Sequence, residues 1–162
     1  VAYWNGFSTS DFFAKINGHW SPAETVRHLN KSIRTVAKAL ALPRIVLRFM
    51  FGMSRRESGR WSEIQTRYNG LLEAGAKAGR FSPSEQQESD LEAGRARIMA
   101  HYVQNNRALR AAVAKWPDGS LDRYQLPHPL LGKLTMREML IFTAYHQMHH
   151  LDGVKRRRAE LP

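Results

Sequence analysis

Thr135-Met136-Arg137-Glu138-Met139-Leu140-Ile141-Phe142-Thr143-Ala144-Tyr145-His146-Gln147-Met148-His149-His150 is the stretch on which the fold turns. A threonine followed three residues later by glutamate lets the hydroxyl cap one orphan amide while the carboxylate returns to cap another, so a helix starts near 136. Beyond that start Met136, Met139, Leu140, Ile141, Phe142, Ala144, Tyr145, Met148 and Leu151 fall on nearly every face. A helix apolar on most of its circumference packs centrally. The run Lys155-Arg156-Arg157-Arg158 places cations at its negative pole.

The same start chemistry recurs at Ser21-Pro22-Ala23-Glu24 and Ser82-Pro83-Ser84-Glu85, each with proline at the first helical position. Helices are therefore expected from about 22 and 83. In the first, Val26, Leu29, Ile33, Val36 and Leu40 form one apolar stripe that runs until Pro43. In the second, Leu91, Ile98, Tyr102, Leu109, Val113 and Trp116 do so until Pro117-Asp118-Gly119, which predicts a rod of about 33 residues, ~50 Å long. A shorter element over Ser8 to Asn17 supplies Phe12, Phe13 and Ile16. Between Pro43 and Phe81 lies a long connection with helical pieces of its own, marked by Trp61, Ile64, Tyr68, Leu71 and Leu72. No segment alternates as a strand would, and no internal repeat is present. The expected fold class is all-α: a four-helix bundle in one domain over 1–162, with a long crossover between its second and third helices.

With 162 residues, 43% hydrophobic and 24% charged, the chain is one ordinary globular domain rather than a disordered or fibrous one. The absence of cysteine excludes disulfides, thiolate metal sites and cysteine nucleophiles. No signal-peptide pattern opens the chain and no apolar run approaches the ~20 residues of a membrane span, so a soluble, cytoplasmic protein is expected. Lys and Arg number 25 against 14 Asp and Glu, a formal charge of +11. Such a charge raises nucleic acid as a partner. The basic residues, however, are scattered from Arg27 through Arg110 to the tail and do not form one recognition helix interleaved with aromatics, so neither nucleic acid nor a membrane is the expected partner.

The last helix carries His146, His149 and His150 within five residues. Positions 146 and 150 lie one turn apart on one face, so their ring nitrogens can converge on a single ion. His149 points about 100° from His150 and could replace it as the partner of His146, which leaves the choice between them open. A third ligand must come from another helix. His28 stands first, beside the apolar stripe and in line with the small residues Thr25, Ser32 and Thr35; His101 is held in reserve. Asp152 is read as an exposed aspartate rather than an acceptor for a liganding ring, and Tyr145 as a core residue with its hydroxyl satisfied. His19 and His128 fall in predicted turns and are assigned loop roles.

The strings Trp20-Ser21-Pro22-Ala23-Glu24-Thr25-Val26-Arg27-His28-Leu29 and His128-Pro129-Leu130-Leu131-Gly132-Lys133-Leu134-Thr135-Met136-Arg137-Glu138-Met139-Leu140, followed by Phe142, Tyr145, His146, His149 and His150, resemble the DinB superfamily. The resemblance covers both ends of the chain and no motif between Pro43 and Trp116. It implies an up-down-down-up four-helix bundle, often dimeric, and a divalent metal, such as nickel, zinc or iron, held by three histidines. Carried over by position, these are His28, His146 and His150. It further implies chemistry of the low-molecular-weight thiol S-transferase kind, with a small-molecule thiol or electrophile as substrate and a homodimer as the unit. Two other classes stand beside this reading: a basic nucleic-acid-binding protein, and a non-catalytic, stress-linked interaction protein that keeps the bundle alone.

Overall fold

The computed structural model describes residues 1–83 and 89–160. Among them seven helices follow one another: α1 (Ala2–Asn5), α2 (Thr9–Phe13), α3 (Pro22–Leu40), α4 (Arg44–Phe51), α5 (Trp61–Glu73), α6 (Leu91–Val113) and α7 (Met136–Ala159). A two-stranded antiparallel sheet, β1 (Gln125–His128) with β2 (Gly132–Thr135), separates the last two helices. The protein is thus mostly helical with one small sheet. Among the described residues, no helix is long and apolar enough to cross a membrane.

α3 and α7 start where their capping chemistry places them. The Ser21 amide donates to Glu24 Oε2 at 2.7 Å and the Glu24 amide to Ser21 Oγ at 3.1 Å, with Pro22 opening the helix. Thr135 and Glu138 repeat the pattern at 2.8 and 3.1 Å. The α3 stripe faces inward as expected, with Val26, Leu29 and Ile33 wholly removed from solvent. Burial of each such side chain contributes about 1.5–3 kcal/mol. α7 is buried over most of its circumference, although Met148 is exposed.

Two expectations need correction. The helix expected from 83 begins at Leu91, where the Asp90 side chain accepts from the Ala93 amide at 3.0 Å, and it spans 23 residues. Asp90 is a good cap in its own right. The capping box at 82–85 extends into positions outside the described residues. The second correction is the hairpin, whose four-residue strands, one containing Pro127, are too short for alternation to be legible. Leu126 pairs with Leu134 across it, and both are buried. Gly132 holds φ at 73°, a left-handed conformation that disfavours any other residue at the turn. The hairpin hands the chain directly to the Thr135 cap of α7.

Hydrogen bonds at both ends fix how α3 and α6 lie. Asn30 Nδ2 donates to the Ile98 carbonyl and Asn105 Nδ2 to Asn30 Oδ1, both at 3.1 Å, while Trp116 Nε1 donates to the Leu40 carbonyl at 2.9 Å. The two helices therefore run side by side in the same direction.

Candidate metal centre

α3 delivers His28 to the interior from its second turn, and α7 delivers His146 and His150 from one face, one turn apart. His28 and His146 are buried and His150 is half-buried. The three rings face one another with centroids 4.6 to 4.8 Å apart. His146 Nε2 lies 3.0 Å from His28 Nε2 and 3.1 Å from His150 Nε2. Nitrogens that each sit ~2.1 Å from a common ion stand roughly 3–3.4 Å apart; the two contacts of His146 fall at that spacing, and the ligand atoms of all three rings lie within 4.8 Å of one another.

Proton accounting leads to the same chemistry. His28 Nδ1 is 2.8 Å from the Phe81 carbonyl, which can only accept, so Nδ1 carries the proton and neutral His28 presents a lone pair at Nε2. A single proton on His146 Nε2 could satisfy His28 but not also the second contact with His150. A cation bound among them would satisfy all three lone pairs. Protonation is no rival, because burial first, and the neighbouring imidazoles next, hold His146 well below the ordinary histidine range. Burial does the same for His150, followed by the charges of His28, His149 and Arg157. His28 is also lowered, chiefly by burial; its bond to Phe81 opposes the shift and Lys31 adds to it.

The cluster opens into a cavity of about 700 Å³ with largely apolar walls. Trp20 covers one side, its ring stacked at 13° and 6.1 Å on His150 and 5.1 Å from His28. Tyr68 stands edge-on to His146 and His149 at 5.9 and 5.7 Å. Its hydroxyl keeps its proton, pushed up to about 12 by burial and then by Tyr145. Lys77 and Arg80 bring cations to the lining, which includes no carboxylate among the described residues.

The remaining histidines separate clearly. His149 packs against Tyr68 and stands outside the three-ring cluster. His101 is exposed on α6 and faces a different groove, so its reserve role as an inward-facing ligand does not hold. His19 is exposed in the turn that pairs with Ile16. His128 does have a loop role, with Nδ1 accepting the Leu130 and Leu131 amides at 3.2 and 3.0 Å, but it also lines the cavity. Burial lowers it to about 4, so it is neutral with its proton on Nε2. Asp152 is exposed, 3.9 Å from Lys155, as read from the sequence. The Tyr145 hydroxyl is satisfied by Asn69 Oδ1 at 2.7 Å.

Sequence reasoning did not find the Phe81 carbonyl, because a backbone acceptor has no residue signature. Nor did it find Tyr68 as a wall of the site, although its helical spacing placed it on an inward stripe. A family model described as the DinB superfamily matches residues 1–152. No curated protein matches the chain.

Proposed function

We propose, from the premise that this chain belongs to the DinB superfamily, that it is a metal-dependent enzyme of thiol chemistry. His28, His146 and His150 hold one divalent ion, nickel, zinc or iron. The observation that carries this reading is the convergence of three imidazoles, two buried and one half-buried, whose two Nε2–Nε2 contacts no single set of neutral tautomers satisfies together. When bound, the ion supplies Lewis acidity that makes a thiol a nucleophile at neutral pH.

The protein has no thiol of its own, so the nucleophile is a low-molecular-weight thiol taken from solution. The thiol gives its proton to solvent, its sulfur bonds to the electrophilic carbon of the second substrate, and the leaving group departs with the electron pair of the broken bond. The chain's residues do the rest. Trp20, Tyr68 and Phe142 form aromatic walls that exclude water and hold an apolar electrophile beside the histidines. Tyr68 stays protonated, so its hydroxyl is a neutral hydrogen-bond donor in the wall of the site.

The same reading includes the up-down-down-up bundle, supported by the parallel course of α3 and α6. It includes a homodimer, for which Ile45, Phe49 and Met50 on α4 offer an exposed apolar face. A reaction that consumes a reduced thiol belongs in the cytoplasm.

Protein purified without a nickel column, stripped, and reloaded with zinc, nickel or iron(II) should conjugate a panel of biological thiols to chlorodinitrobenzene. The expected rate falls at least tenfold on chelation and in His28→Ala. A reaction indifferent to both treatments, or no metal-dependent turnover with any thiol, would overturn the catalytic reading.

A further inference from the structure

A second concave surface lies between α3 and α6, away from the histidine cluster. It is a groove of about 1290 Å³. Arg27, Lys31, Arg34 and Lys38 follow one another along α3 at spacings of four, three and four, which places them in a row on one face, ~16 Å long. Arg97 and Lys115 line the opposite side. Ala37, Ala108, Ala111 and Ala112 form a floor of small side chains that leaves the trench open between its charged banks. At the far end Arg44 stands 5.2 Å over the Trp116 ring and donates to the Lys115 carbonyl at 3.1 Å. The described residues that line the groove include no carboxylate. Charges that are scattered in sequence are thus gathered by the parallel packing of two helices.

We infer that this groove binds a single strand of nucleic acid through its phosphates, without regard to sequence. The linear arrangement favours a strand over other polyanions: a single row of cations ~16 Å long follows one extended backbone, whereas a duplex presents two. A flat lipid surface would meet the rims and leave the floor empty. The absence of exposed aromatic platforms in the lining means that phosphate contact, not base stacking, supplies the affinity. A row of cations at three- and four-residue spacing repeats every ~4.5–6 Å along the helix axis, so a flexible single strand can lay several of its phosphates along it.

The test is fluorescence anisotropy of the intact protein with labelled oligo-dT of twenty nucleotides between 50 and 200 mM salt. Lys31 Nζ donates to the Ser82 carbonyl at 2.6 Å, so with Arg34, Lys38, Arg97 and Lys115 engaged the logarithmic salt slope is expected to be about −3 for a single strand. Arg34→Glu combined with Lys38→Glu should weaken binding roughly tenfold or more and flatten the slope. Both residues are exposed on a helix, so helicity by circular dichroism should be unchanged. Lys15→Glu combined with Arg55→Glu changes net charge equally at exposed positions outside the groove and should leave binding within about twofold. Equal loss in both double variants would show diffuse attraction by the +11 chain and overturn the proposal. So would tighter binding of poly-glutamate, of duplex DNA or of phosphatidylserine vesicles than of the single strand.

Discussion

His146→Ala should reduce bound metal from about one equivalent to under a tenth while leaving the protein folded. Removing a partner that merely orients a ligand costs 10–100-fold in affinity, and removal of a ligand that touches both other imidazoles should cost more. Helicity should survive, because alanine is the strongest helix former and α7 is anchored by its own cap and by the hairpin. Elemental analysis of variants prepared without a nickel column reads the result. His149→Ala is the matched control: its ring packs on Tyr68 outside the cluster, and metal should stay near one equivalent. Metal retained in His146→Ala, or lost only in His149→Ala, would refute the ligand set.

The second large effect concerns Glu138, whose carboxylate is almost wholly buried at the start of α7. It receives Arg56 through both terminal nitrogens at 2.5 and 2.6 Å, the Gly59 amide at 2.7 Å and the Thr135 amide at 2.8 Å. Gly59 is a glycine for a reason of space, since an added Cβ would stand 3.1 Å from Glu138 Oε1 and 2.8 Å from Glu63 Oε2. Glu138→Ala removes a cap and strands three donors. Breaking a buried ion pair costs 3–5 kcal/mol, which we reduce to ~2–4 because the Arg56 side chain is half exposed. Thermal unfolding should register a fall in Tm of roughly 4–16 °C, at about 2–4 °C per kcal/mol for a chain of this size.

The pH dependence of that effect has a definite sign. Burial pushes the Glu138 carboxyl up, but its bonds with Arg56, Gly59 and Thr135 outweigh burial and leave it below the ordinary value of 4.5. A carboxyl lowered in the folded state stabilises fully above its unfolded value and loses that contribution as pH falls through the folded one. The Tm gap between wild type and Glu138→Gln should therefore be constant above about pH 5 and narrow as the pH falls below 4.5. A gap that widens in acid would show that Arg56 does not hold the ionised form.

How much of this was legible before the fold was known depended on the range of the interaction. Ser21, Glu24, Thr135 and Glu138 act within four residues, and the starts of α3 and α7 were correct to the residue. The inward stripe of α3 was equally plain, because its period is set by the helix itself. The start of α6 was not, since Asp90 competes as a cap with a stronger-looking motif upstream. The hairpin escaped because its stability comes from Leu126 and Leu134 meeting across the turn, a contact that four-residue strands do not announce. At the site, the spacing of His146 and His150 was local and readable, whereas the placement of His28 beside them depends on packing across 118 residues. His101 was assigned to the wrong side because which face of α6 turns inward is decided by α3. The basic groove illustrates the same limit: its α3 row was present in the sequence, but the opposite bank is supplied by a helix more than fifty residues away.

On the proposed function, one cation sits among His28, His146 and His150. Anomalous scattering from a crystal of zinc-loaded protein, collected on both sides of the zinc edge, tests it most directly. A single strong peak ~2.1 Å from the Nε2 atoms of all three rings is the expected result. A peak elsewhere, or full zinc occupancy with these three rings turned away from the ion, would contradict the account.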